Sequence, residues 1–357
     1  MSSVKKIRKR YTNIDGLRSF SCLGIIAMHI LANSEYIDAT GWIKEVFIPS
    51  LTLLVYLFMM ISGFGMFCGY YTRFKEGSIE LNYFFKRRYT KILPFFSFLI
   101  FLDIIITRSS THVIQGLTEL TMVFGLLPNN QLDVVGVAWF LGVVFLFYML
   151  FPFFVFLCWN KKRAWLSLII SILVNIACAN YFYTMEFVKA NFADRHTLLY
   201  CAPYFFVGGL IYLYRQEIDK FVHKSKFILI IPILITSLFY LTLSFFKNTN
   251  FNDLETIILF GTWLAYAIGI EQDNSILTNR ITRYLSSISL EMYLAQMFIF
   301  DAIKRMGFLY VLGRGYLSYI LILIMTVIGL IVFVEVCKIS FRLLQKGLST
   351  ISMGDRE

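Results

Sequence analysis

Residues 13–30 read NIDGLRSFSCLGIIAMHI. From Leu17 onward the stretch is apolar enough for a membrane helix, yet Arg18 stands at its entrance and His29 lies deep inside. The two are eleven residues apart, which on a helix is about 20° beyond three full turns and a rise of ~16 Å. They therefore share one face, with Ser21, Cys22 and Ile25 along the same stripe. A charge held within a span costs about 2.5–3.5 kcal/mol on insertion scales, so such residues face a protein interior or a wet cavity. Each has a plainer reading: Arg18 as a snorkelling residue that helps fix topology, His29 as a neutral imidazole bonded to a neighbouring helix. Together they suggest more. A group that takes a proton near neutral pH, held at low dielectric, is what a hydroxyl needs to attack an activated acyl group.

Composition carries the membrane reading outward to the whole chain. Hydrophobic residues make up 58% and aromatic residues 18%, and the mean hydropathy is +0.69, leaving too little polar surface to cover a soluble globule. Windows long enough to cross a bilayer predict an all-α integral membrane protein of ten spans, at 17–33, 47–69, 90–107, 134–158, 164–182, 198–214, 226–246, 256–271, 287–303 and 316–338. With the N-terminus inside, cytoplasmic segments hold 24 of the 33 Lys and Arg residues and external segments eight, so both termini are expected in the cytoplasm. The net charge of +11 is then chiefly topological and calls for no nucleic-acid partner. KKIRKR followed by an apolar run imitates a signal peptide, but Arg18 and His29 interrupt the run and no small-residue cleavage site follows; an uncleaved first span is expected. The longest segment between spans, 108–133, is too short for its own core. One membrane domain over 1–357 is the natural division, with short cytoplasmic tails at 1–16 and 339–357 and no separate soluble domain.

Other motifs narrow the chemistry. No internal repeat or pair of broken helices marks an inverted-repeat transporter, and no G-x-S-x-G, H-E-x-x-H or phosphate-binding loop occurs. The six cysteines form no C-x-x-C pair and read as small packing residues; the four histidines lack zinc-ligand spacing, so no metal is expected. GMFCG, Gly65 to Gly69, reads as a close helix contact. GLTELTMVFGLLP at 116–128 reads as a short external amphipathic or re-entrant element.

IDGLRSFSCLGIIAMH (14–29), FMMISGFGMF (58–67), YFFKRRYTKILPFF (83–96), AWFLGVVFLFYMLFP (138–152) and SSISLEMYLAQMFI (286–299) occur in that order. In this the chain resembles the membrane acyltransferase 3 family, whose opening motif is an Arg, ten residues and a His, introduced by Asp-Gly-Leu-Arg. The resemblance implies transfer of an acyl group, commonly acetyl, from a cytoplasmic coenzyme A thioester to a hydroxyl of a cell-surface polysaccharide or its lipid-linked precursor. His29 would be the general base or an acyl carrier, and Arg18 would hold the donor or polarise the site. Lys86, Arg87, Arg88 and Lys91 lie just before the third expected span, where a phosphate-rich nucleotide would arrive; the alternative is that they only enforce topology. Two departures from the family pattern stand out. Arg88-Tyr-Thr-Lys91 replaces Arg-x-x-Arg, losing one bidentate fork, and Tyr293-Leu-Ala-Gln296 ends in an amide where the family often has His.

Ser289, Tyr293 and Gln296 are spaced four and three apart and fall on one stripe able to line the His29 cavity, or equally to pack polar groups between helices. Trp139 and Tyr148 match the family pattern too, Trp139 as a candidate to line the cavity, the alternative being interface or packing aromatics near span ends. His112 and His196 fall in external segments, and ADRHT around His196 is able to touch an acceptor or to be a solvated loop. No permanently bound cofactor is expected, only acyl-CoA as co-substrate, with a glycan or lipid-linked sugar and the bilayer as partners. The resemblance implies a bacterial plasma membrane. The competing readings are a transporter or flippase of lipid-linked sugars, and a regulatory relative that keeps the fold without the chemistry.

Overall fold

The computed structural model describes residues 10–127, 132–184, 186, 188, 192–224, 226–243, 252–270 and 275–354. Residues 1–9, Pro128, 244–246, 271 and 355–357, which carry parts of the expected tails, external element and spans, lie outside them. The described residues are helical with no strand: α1 Asn13–Ala32, α2 Ile43–Lys75, α3 Leu81–Thr107, α4 Ser110–Leu120, α5 Trp139–Met149, α6 Phe151–Leu157, α7 Lys161–Phe182, α8 Leu198–Leu213, α9 Arg215–Lys224, α10 Lys226–Leu243, α11 Asn252–Gly269, α12 Arg280–Arg305 and α13 Tyr316–Gly354.

Five of these, α1, α2, α3, α7 and the Tyr316–Gln345 part of α13, are long and apolar enough to cross a membrane, and two bent pairs, α5 with α6 and α8 with α9, raise the number to seven. Helices α10, α11 and α12 lie where the three remaining spans are expected, without being among the five to seven long and apolar enough to cross. The α5–α6 bend of 61° has a local cause. Pro152 stands in the first turn of α6, where it has no N–H to donate and its ring crowds the carbonyl four residues earlier.

Several helices wear their apolar residues outward, as lipid demands and water forbids. On α13, Leu317, Ile320, Ile324, Ile328, Val332, Val336 and Ile339 form one exposed stripe, while Ser318, Ile322, Thr326, Leu330 and Val334 are buried. On α7, Leu166, Ile169, Ile170 and Leu173 face out, and the buried Asn175 donates to the Tyr200 carbonyl at 2.8 Å.

The chain passes repeatedly between two compact units, one made of 1–21, 53–78 and 147–287, the other of 22–52, 79–146 and 288–357. In the first, α2 crosses α8 at glycines: a Cβ on Gly208 would lie 2.2 Å from the Met60 carbonyl, and one on Gly63 would lie 2.6 Å from that of Phe205. Gly65 and Gly69 face open space instead. The close contact expected of GMFCG is therefore made two residues earlier, because Gly63 is the residue on the face turned to α8. Tyr56 stacks on Tyr204 at 4.2 Å, and Tyr200 and Tyr204 donate to Asp253 at 2.6 and 3.3 Å.

In the second unit, α4 lies on α3 through Gly116, where a Cβ would meet Ile100 at 2.8 Å. Its other face leaves Val113, Ile114 and Leu117 exposed. Of the two readings of residues 116–128, the amphipathic one fits: the helix starts earlier, at Ser110, and ends at Leu120, before a short turn at Phe124–Leu126. All six cysteines are free thiols, and all but Cys68 are buried.

Candidate active site

Helix α1 runs unbroken from Asn13 to Ala32, so the spacing that aligns Arg18 with His29 is realised as one helical face. The beginning of the helix is bolted down by the residues that introduce the motif. Asn13 donates its amide to the carbonyls of Ala267, at 3.1 Å, and Ile270, satisfying acceptors left over where α11 ends. Asp15 accepts from Ser286 at 2.8 Å and from Arg10 at 3.1 Å. Ser19 donates to Thr282 O at 2.6 Å. Gly16 has to be glycine: a Cβ there would lie 2.5 Å from the backbone of Leu277. Asp-Gly thus positions the helix, and Arg18 is left part-buried with Asp15 and Tyr148 within electrostatic reach of its guanidinium.

His29 lies in the half of α1 that belongs to the second unit and is part-exposed, between the buried Ile26 and Ile30. Its carbonyl accepts from both the backbone and the side chain of Asn33, at 3.1 and 2.8 Å, closing the helix end. In the same unit, Cys22 donates to Ser289 O at 3.4 Å. Gln296 lies two turns beyond Ser289 on α12, as His29 lies two turns beyond Cys22 on α1.

Ser289, Tyr293 and Gln296 are all buried, at 3%, 3% and 1% exposure. Tyr293 donates to Val137 O at 2.9 Å and its ring meets Phe140 edge-on at 5.3 Å, which ties α12 to the start of α5, where Trp139 is part-buried. Gln296 donates to Tyr293 O at 2.9 Å, and its side-chain oxygen has no hydrogen-bond partner among the described residues.

The basic cluster lies just ahead of the apolar run, on the first turns of α3, which begins at Leu81 and carries all four cations. Arg87 is exposed and donates to Tyr83 at 3.2 Å. Arg88 is part-buried with its guanidinium 5.9 Å from the Phe84 ring, and Lys91 is exposed one turn on. The helix starts early because Leu81, Phe84 and Phe85 supply apolar positions well ahead of the continuous apolar run.

His196 departs from both expectations for the external segments. It is buried, at 6% exposure, in the turn Asp194–His196 ahead of α8, and burial together with the neighbouring Arg195 lowers its pKa to about 3. It is a neutral packed imidazole rather than a surface contact. His112 instead pairs with Asp103 at 2.6 Å.

Outward apolar stripes on several long helices define a polytopic membrane protein. Among known protein families, residues 11–335 match the acyltransferase 3 family, described as an acyltransferase domain. The chain belongs to that family and is a membrane acyltransferase. No curated protein and no solved structure gives a significant match.

Proposed function

We propose that the protein moves an acyl group, acetyl in the first instance, from cytoplasmic acyl-CoA to a hydroxyl of a cell-surface polysaccharide or its lipid-linked precursor. The observation that carries this is the unbroken α1, with Arg18 and His29 on one face, in a chain of this family. His29 accepts the proton of the attacking hydroxyl, and that oxygen forms the new ester bond as the thioester carbon–sulfur bond breaks and coenzyme A leaves as the thiolate, which then takes up a proton. Arg18 holds the donor or the developing oxyanion. Arg87, Arg88 and Lys91 meet the nucleotide phosphates, where an Arg fork grips and a Lys acts as a point charge. Gln296 orients groups but takes no proton, so the acid–base work falls on the imidazole. In this reading the chain crosses the bacterial plasma membrane ten times with both termini in the cytoplasm, supported by the excess of Lys and Arg in alternate segments.

The test uses purified protein in nanodiscs, with acetyl-CoA binding followed by calorimetry and coenzyme A release by a thiol assay in the presence of a glycan acceptor. His29→Ala is expected to bind acetyl-CoA as the wild type does but to lose about 10²–10⁴-fold in release. Arg88→Ala is expected to weaken acetyl-CoA binding about tenfold or more. Full release by a folded His29→Ala protein sinks the catalytic role, and folded wild type that binds no acetyl-CoA sinks the donor.

A further inference from the structure

In the second unit, a cavity of about 320 Å³ opens where α3 and α12 end, its lining including Asp103, Asp133, Asp301 and Arg305 together with Leu294, Met297 and Phe298. We propose that this cavity binds one ring of the acceptor sugar, neutral or amino-substituted, with the aspartates accepting from its hydroxyls and Phe298 under its apolar face. The proposal rests on the acyltransferase reading and adds to it the place and charge class of the acceptor.

Position is the first argument. Leu294, Met297 and Phe298 follow Ser289 along α12, and Ser289 accepts from Cys22 on the same helix as His29, so the cavity lies further along the helix that α1 contacts. Arg88 and Asp103 belong to the same helix, 15 residues and about 22 Å apart, which puts the cationic end of α3 and this cavity at opposite ends of one helix. A donor taken at one end and an acceptor at the other would meet between them.

Construction is the second. One stripe of α4, His112, Gln115 and Glu119 at i, i+3 and i+7, holds the wall in place. His112 fixes Asp103, which also accepts from Thr107 at 3.2 Å. Gln115 holds Asp133 from both sides, accepting from its N–H at 2.9 Å and donating to its carboxylate at 3.4 Å. Glu119, fully buried, accepts from Val135 N–H at 3.2 Å. A surface loop has no need of three side chains clamping it; a binding wall does.

Chemistry is the third. Three carboxylates against one guanidinium favour donors, and one carboxylate accepts from two adjacent hydroxyls at once. The same excess repels an anionic ring, while an ammonium group is attracted. The volume stands at the small end of ligand sites, matching one ring rather than a chain.

The test is saturation-transfer NMR on full-length protein in nanodiscs with three probes: methyl β-glucopyranoside, its 2-amino-2-deoxy analogue and methyl β-glucuronide. Wild type is expected to transfer saturation to the first two and weakly to the uronide. Asp301→Asn and Asp133→Asn should lower transfer to the first two about fivefold, with thermal stability and acetyl-CoA binding unchanged. Should Asp133→Asn fail to fold, Asp301→Asn, at an exposed position, decides alone. Equal transfer in wild type and the variants, none in folded wild type, or a uronide signal matching the amino sugar overturns the proposal. Failure of the acyltransferase reading appears separately, as folded wild type that saturates the sugars but binds no acetyl-CoA.

Discussion

Glu119 is a carboxyl held neutral by its surroundings. Burial pushes its pKa up to about 8, Asp103 and Asp133 push the same way, and the Val135 N–H opposes them. Its second oxygen has no hydrogen-bond partner among the described residues. In the unfolded chain the group ionises near 4.5, so between pH 4.5 and about 8 the unfolded state sheds a proton that the fold retains. Stability should therefore fall as pH rises through that window, by about 1.4 kcal/mol per unit at most, and level off outside it. Glu119→Gln keeps the acceptor for Val135 and removes the titration. Melting temperatures between pH 5 and 8 should then decline less in the variant than in wild type; equal slopes would mean that Glu119 is ionised in the fold. None of this is visible in GLTEL, where Glu119 reads as an ordinary external carboxylate; only the helix laid against Val135 buries it. His196 teaches the same lesson, looking solvated in ADRHT and lying buried ahead of α8's first turn. Arg18 and His29, by contrast, stand out as candidates in the sequence itself, because lipid repels an ionisable group in an apolar run unless the protein interior or a wet cavity receives it.

At the scale of elements, the crossing of α2 and α8 depends on backbones that touch. Gly208→Ala would drive a methyl into the Met60 carbonyl, an atom that moves only with its helix. We expect a loss of about 1–3 kcal/mol, read as a fall in melting temperature of several degrees. Gly65→Ala, facing open space, should change little beyond the ordinary helix propensity gain. Similar falls in both would remove the crossing as the cause. Sequence alone pointed to the wrong pair, since GMFCG fits the spacing rule and Gly63 does not; spacing marks residues that share a face, but the partner helix decides which face is used. In α1 the reverse holds. The Arg-to-His spacing survives intact because an uninterrupted helix has fixed geometry, while the roles of Asp15 and Gly16 depend on Ser286 and Leu277, hundreds of residues away.

For the whole molecule, the distribution of Lys and Arg predicts which loops face out. A membrane-impermeant maleimide applied to intact cells should label Ile37→Cys, an exposed position between α1 and α2, and should leave a cysteine added at the N-terminal tail unlabelled until the cells are opened. Reversed labelling would invert the topology and move the basic cluster away from cytoplasmic donors. Composition determined that the chain is a helical membrane protein, because 58% hydrophobic residues place it among lipids, where helices satisfy the backbone within each segment. The ordered motifs determined the family and marked Arg18 and His29, because both signals are local in the chain. Tertiary structure alone decided what Asp15 and Gly16 are for, which glycines let helices touch, and how α4 clamps Asp103, Asp133 and Val135 around a cavity. Each of these joins residues remote in sequence or turns a side chain inward, and desolvation and contact depend on neighbours that the sequence does not name.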